Sequence, residues 1–299
     1  MNGAAAAAPI ALGLGAATLL GVGFVLQQRM ARLLPAGDTL SPRLFADLIR
    51  KPLWLAGIAA MVGGQLLGAL ALGVGDVSLI EPLLTTNLFF ALLIARWLSG
   101  QAFGLREWGG ALGLVCGVVV FLVSAHPEPA GDDHTDGTAT GTGLANLVCL
   151  AAVAVLVCGS VGAARRRAGT PRAVLLAAAA GVLFGLQDGL TRGVMNSLGH
   201  GLSALFASWA TYVLVATAVV GILLMQSAFQ AAPLRVALPI VTAVEPLTGI
   251  GYGIGVYGEQ VGTSPAATAG EVSGLIIMLL GVVLVTRSHA LHAHHPHRP

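Results

Sequence analysis

Charge is scarce in this sequence: Asp, Glu, Lys and Arg together account for 9% of its 299 residues, and aromatic residues account for 5%. Hydrophobic residues account for 56%, and the mean hydropathy is +0.86. Because soluble domains carry about 25% charged residues, this composition excludes a soluble globular domain and gives no support to nucleic-acid binding. Apolar runs of the length that crosses a bilayer, about 20 residues, follow one another along the chain. The sequence predicts an all-α, polytopic membrane helix bundle.

Residues for catalysis or metal binding are also few. The three cysteines, Cys116, Cys149 and Cys158, are odd in number and show no CxxC spacing, so they favour neither a disulfide framework nor a zinc site. The apolar runs contain no histidine, and the chain has no HExxH or GxSxG pattern, so few parts are available for a membrane-embedded enzyme. We therefore expect no enzyme, no cofactor and no metal site.

Nine membrane-spanning helices are predicted from the apolar runs. Every Lys and Arg except Arg192 falls on one side of these spans, and basic residues collect in cytoplasmic loops. We expect a multi-pass protein of the cell (plasma) membrane, with the N-terminus outside and the C-terminus cytoplasmic. The predicted spans are 9–28, 53–73, 77–98, 107–124, 144–163, 173–195, 202–225, 236–257 and 267–286.

Three polar segments lie between or after the spans. Residues 35–51 are too polar to cross a membrane and form either a short amphipathic helix on the inner surface or a plain loop. Residues 126–143 are acidic and lack basic residues, which suits an external loop that gathers cations or a solvated linker. Residues 289–299 are rich in histidine and are expected to be a disordered tail, with weak metal binding as the alternative.

The two halves of the chain contain related segments. Residues 21–32 and 181–192 share Gly, Val, Phe, Leu, Gln and Arg at matching positions, and residues 81–124 align without gaps to 245–288. This predicts a first four-span repeat in 1–125 and a second in 173–288, joined through the loop and linking span of 126–172. Five spans separate each helix from its copy, and an odd number reverses its direction. Such inverted repeats are typical of secondary transporters with a central site.

Ionisable residues within spans need a physical reason, because burying charge in lipid is costly. Glu245 lies near the middle of span eight and is the first candidate for a substrate or coupling carboxyl. Asp188, next to Gln187, lies four residues before Arg192 in span six. It either forms an i, i+4 ion pair with Arg192 or binds a cation or proton in competition with it.

The remaining polar residues leave alternatives open. Gln27 and Gln28 lie near the inner end of span one, where they either line a central site or serve in helix capping or interfacial solvation. Glu-Pro pairs occur in both halves, and Pro82 and Pro246 each remove a helix hydrogen bond, which predicts paired kinks around a pocket. The complete set of substrate or ion-coupling candidates is Glu245, Asp188, Gln187, Gln27, Gln28, Gln65, Glu81, Asn87 and Glu259.

Several sequence blocks carry a family resemblance: "LLGVGFVLQQRMARLL", "WLAGIAAMVGGQLLGALALGVGDVSLIEPL", "LREWGGALGLVCGVVVF" and "AFQAAPLRVALPIVTAVEPL" with "YGEQ". With these blocks the chain resembles the drug/metabolite transporter superfamily over nearly its whole length. Glu259 matches the Gly-Glu that ends a span in EamA-type members, and nine spans with an outer N-terminus are similar to the NIPA-type magnesium transporter branch. The chain differs from that branch at Gln27, Gln28 and Arg29, where lysines are usual, and at Gln65, where an acidic residue is usual.

The resemblance implies an integral membrane secondary transporter that moves a small solute by alternating access. The narrower alternative is Mg²⁺ transport, although Mg²⁺ prefers more carboxylate oxygens than these differences leave. A second alternative is a membrane scaffold without transport activity, which predicts no central cavity lined by carboxyls. The expected partners are the lipid bilayer and a small-molecule or ion substrate, and a homodimer is also open.

Overall fold

The computed structural model describes residues 3–34, 42–74, 83–99, 104–125, 143–258 and 264–292. These residues form helices and contain no strand, which confirms the predicted all-α class. The predicted site residues Glu81, Pro82 and Glu259, the acidic loop and residues 293–299 lie outside the described ranges. In chain order the helices are α1 (Gly3–Arg32), α2 (Pro42–Ile49), α3 (Pro52–Val74), α4 (Asn87–Ser99), α5 (Leu105–Ala125), α6 (Gly143–Arg165), α7 (Gly169–Gly199), α8 (Leu202–Ala207), α9 (Trp209–Ala231), α10 (Leu234–Tyr257) and α11 (Pro265–His292).

Seven of these helices are long and apolar enough to cross a membrane: α1, α3, α6, α7, α9, α10 and α11. Two shorter apolar helices, Leu83–Leu98 and Trp108–Phe121, occupy the positions of the predicted third and fourth spans. The chain is therefore a multi-pass membrane protein. The count of nine crossings stays a prediction.

The predicted boundaries of the seventh and the last span are wrong. The seventh span was expected at 202–225, but α8 ends at Ala207 and Ser208 is extended, so α9 starts only at Trp209 and runs to Ala231. Thr211 Oγ1 donates to the carbonyl of Leu205 at 2.8 Å and holds this corner. The last helix continues to His292, past the expected end at 286 and into the predicted tail.

A short amphipathic helix forms within the segment that could have been a plain loop. In α2, Leu44 and Leu48 have no exposed surface and pack with Met30 and Trp54. Their four-residue spacing places both side chains on one face of the helix. This face docks on the ends of α1, α3 and α9, so α2 covers the bundle at one end.

The two halves pack their helices in the same order. In the first half α1 packs along α3 and α4, and in the second half α7 packs along α9 and α10. The most buried of the candidate spans is α7, of which 56% is buried across its most apolar window, compared with 17% for α6 and α11. Thus α7 lies at the centre of the bundle, and the exposed apolar surfaces of α6 and α11 suit contact with lipid.

The contact between α5 and α11 joins the halves through glycines. A Cβ added at Gly274 would lie 2.9 Å from the carbonyl oxygen of Gly117, and one at Gly281 would lie 2.7 Å from that of Gly110. Such short distances require glycine on both helices. The helices are antiparallel here, and the aligned positions exchange: Gly110 and Gly117 of the first half correspond to Gly274 and Gly281 of the second.

Candidate functional site

One partly open cavity of about 690 Å³ lies between helices from both halves of the chain. Its walls come from α1, α3, α5, α7 and α10, and from residues 84–87 at the start of α4. Apolar side chains such as Phe24, Val118 and Ile250 form much of the surface. The polar side chains of the lining are Gln65, Thr85, Asn87, Asp188, Thr191, Thr242, Glu245 and Tyr257.

Glycines on α7 bring the two predicted carboxyls to the same wall. A Cβ added at Gly181 would lie 2.9 Å from Cβ of Val244, and one at Gly185 would lie 2.7 Å from Cβ of Thr248. The backbone of α7 therefore runs directly against α10, as close-packing glycines allow in membranes. The turn of α7 that follows carries Asp188 beside Gly249 of α10, one turn after Glu245.

Asp188 and Glu245 both face the cavity. Asp188 is exposed and Glu245 is partly exposed, and the two carboxyls lie close enough to interact electrostatically. A Cβ added at Gly249, one turn after Glu245, would lie 3.8 Å from Cβ of Asp188. Because two neighbouring carboxylates repel each other, such a pair favours the uptake of a proton or a cation. The side chain of Arg192 is not among those described, so its pairing with Asp188 stays a prediction.

Further polar groups of the lining offer hydrogen-bond acceptors to a bound solute. The side-chain oxygen of Asn87 is buried and has no hydrogen-bond partner. The hydroxyls of Thr191 and Thr242 donate to the carbonyls of Gln187 and Leu238, at 2.7 and 3.0 Å, which leaves their lone pairs available to accept. The cavity can thus bind a small solute that donates hydrogen bonds. In the described parts of the chain, no group of three or more His, Cys, Asp or Glu side chains could hold a metal ion.

Pro246 also lines the cavity and lies inside α10 together with Pro239. The helix is continuous through both prolines. Each proline removes one backbone donor and so deprives the carbonyl four residues earlier of its partner. The carbonyl of Thr242 is the one affected by Pro246. Sequence reasoning selected Pro246 and missed Pro239, since only Pro246 follows a glutamate.

Three predicted glutamines lie away from the cavity lining. Gln187 is partly buried, and its amide nitrogen donates to the carbonyl of Leu183 in the same helix at 3.3 Å. Gln27 and Gln28 are only 3% and 1% exposed, so they are neither solvated nor part of the cavity lining. The amide oxygen of Gln27 instead accepts a hydrogen bond from Nε2 of Gln226 on α9.

Two polar contacts were missed by the sequence reasoning. The first is the hydrogen bond between Gln226 and Gln27. It was missed because the predicted seventh span ended one residue before Gln226. The second contact joins α6 to α10, where the hydroxyl of Tyr252 donates to Oδ1 of Asn146 at 2.7 Å. Both side chains are buried, and a polar residue inside an apolar run was the available signal for each. Tyr257, which lines the cavity, donates to the carbonyl of Gly189 at 3.0 Å.

Comparison with known proteins gives one informative similarity. The chain is 24% identical over 286 residues to an uncharacterized protein of Corynebacterium glutamicum, and the match covers 94% of this chain and 95% of the relative. The shared region thus includes both halves and the cavity. No protein-family model matches the chain, and no solved structure matches it.

Proposed function

We propose that this protein is a secondary transporter that moves a small polar solute across the plasma membrane by alternating access. The cavity is the observation that carries the proposal. It lies between helices of both halves, and its volume of about 690 Å³ falls within the range of small-molecule sites, roughly 300–1,000 Å³. Carboxyl groups in a membrane-embedded cavity are typical of ion and substrate pathways.

The arrangement of the halves supports the same proposal. Alternating access requires two bundles that rock against each other around a site at their interface. The equivalent packing of α1 and α7, and the exchange of Gly110 and Gly117 with Gly274 and Gly281 across α5 and α11, suit the predicted inverted repeat.

The alternatives make different demands on the structure. A scaffold without transport activity needs no carboxyl-lined cavity, so the cavity favours transport. A dedicated Mg²⁺ site uses several carboxylates and waters, whereas the described cavity lining carries two carboxyls among apolar and neutral polar groups. This lining favours a small solute with polar and apolar parts over a bare divalent ion.

The test is solute flux into proteoliposomes, with candidate solutes first selected by thermal stabilisation of the purified protein. Glu245→Gln should reduce flux about tenfold or more, because an amide can neither exchange a proton nor carry the negative charge of a carboxylate, whose hydrogen bonds contribute about 1.5–3 kcal/mol. The matched control is Glu271→Gln on α11, a carboxyl that does not line the cavity; it should keep the flux of the parent protein.

Two results would contradict this assignment. Equal flux in the parent and in Glu245→Gln would remove Glu245 from the site. Flux of Mg²⁺ alone, with no organic solute transported, would establish the narrower alternative in place of the broader one.

A further inference from the structure

Near the Arg32 end of α1, two buried side-chain amides join the two halves of the chain. Nε2 of Gln226 on α9 donates to Oε1 of Gln27 on α1, and the two side chains are 0% and 3% exposed. Gln28 and Ser227 beside them are also buried, at 1% and 0%. We call these four residues, Gln27, Gln28, Gln226 and Ser227, the amide seam. They form a polar layer where apolar packing would otherwise be expected.

The amide seam leaves hydrogen-bonding capacity unused. Nε2 of Gln28 and Oε1 of Gln226 are buried without a hydrogen-bond partner. An unpaired buried polar atom costs free energy that a pair of apolar side chains would avoid. The seam is therefore poorly suited to a permanently closed core, and it is suited to a contact that opens and becomes hydrated.

The amide seam lies on one side of the cavity only. On α1 the cavity is lined by Leu20 and Phe24, whereas Gln27 lies one turn further along, two residues before the basic residue Arg29. The seam thus lies between the cavity and the basic ends of the helices, which we predict to be cytoplasmic. On that side α1 packs against α9, and α2 covers their ends.

Among the described residues, the corresponding contact on the other side of the cavity is not formed. The sequence alignment of the halves pairs Gln28 with Asp188, and the equivalents of α1 and α9 are α7 and α3. Among the described residues, α7 makes no comparable contact with α3. Gln65 on α3 and Asp188 on α7 both line the cavity instead.

We propose that the amide seam is the inner gate of the transporter. In this structure α1 and α9 are in contact and the gate is closed; when they separate, the amides of Gln27, Gln28 and Gln226 line the inner exit and provide its hydrogen bonds. This inference rests on the proposed function, since a gate needs two access states.

The experiment measures accessibility from the cytoplasmic side. In a background with Cys116, Cys149 and Cys158 replaced by alanine, Ser227→Cys is labelled with a membrane-impermeant maleimide in inside-out vesicles. Gln226→Met should raise the labelling rate about tenfold, because one lost hydrogen bond shifts a two-state equilibrium by roughly that factor. Gln187→Met is the matched control: its amide bonds only within its own helix, so labelling should stay at the parent rate.

A second variant shows whether the effect of Gln226→Met arises from misfolding. Gln226→Asn keeps the amide but shortens it by one methylene, so it should insert normally, lose contact with Gln27 and give the same increase in labelling. Labelling of both variants at the rate of the Gln187→Met control would overturn the gate, whether or not the parent transports solute. An increase in labelling without flux of any solute would support the gate and count against the proposed cargo.

Discussion

Alanine at Gly274 provides a quantitative test of the contact between α5 and α11. Its added Cβ would lie 2.8 Å from Cα of Phe121, whereas carbon atoms in contact normally lie about 3.5–4.0 Å apart. The two helices must therefore separate by about 0.7 Å, and a gap of that size forfeits about a quarter to a half of each contact's attraction. Both neighbours of the new methyl group are backbone, so no side chain can rotate away.

The matched control is Gly251→Ala on α10, because a Cβ there meets nothing within 4 Å. Both substitutions remove the same entropic cost of glycine in a helix, about 0.5–1 kcal/mol, and this contribution cancels in their difference. Overpacking then remains and should make Gly274→Ala less stable than Gly251→Ala by about 1–3 kcal/mol. The assay is reversible unfolding by SDS in mixed micelles, followed by circular dichroism. Equal stability of the two variants would refute the close contact of α5 with α11.

Three further measurements test other parts of the structure. Tyr252→Phe should lose about 0.6–1.7 kcal/mol in the same unfolding assay, the range for hydrogen bonds between membrane helices, and a double-mutant cycle with Asn146→Ala that shows no coupling would contradict the bond. Leu48→Ala should cost about 2–5 kcal/mol because Leu48 is fully buried, whereas the neighbouring Ile49, 44% exposed, should cost much less; similar losses would mean that α2 is not docked. Gln65→Leu should raise the KM of the proposed transport, and an unchanged KM would exclude Gln65 from the solute site.

Much of the fold followed from short-range patterns. Helices of membrane-spanning length appear at seven of the nine predicted positions, because hydrophobic length and helix formation depend on neighbouring residues alone. The errors occurred where a local contact decides a boundary, as at the corner held by Thr211 and Leu205. That error also hid Gln226, which lies one residue beyond the predicted end of its span.

The candidate site was predictable only in its chemistry. Burial in predicted spans selected Glu245 and Asp188, and Gln65 and Asn87 were also among the candidates, Gln65 through the resemblance; the structure places all four on one cavity. The same reasoning ranked Gln27 with them, because its residue type and depth are similar. Which face of a helix meets a neighbour depends on the packing angle, and this information is absent from a single span.

The glycines show most directly which properties follow from the sequence and which follow from the tertiary structure. The sequence by itself determined a helical membrane protein, since composition and apolar length sum over many residues and need no knowledge of contacts. Glycines at four-residue spacing were equivalent in sequence, yet Gly117 touches the backbone of α11 while Gly251 faces open space. Only the tertiary structure decided which glycines are contacts, which carboxyls share a cavity and which amides join the halves, because each depends on residues far apart in the chain.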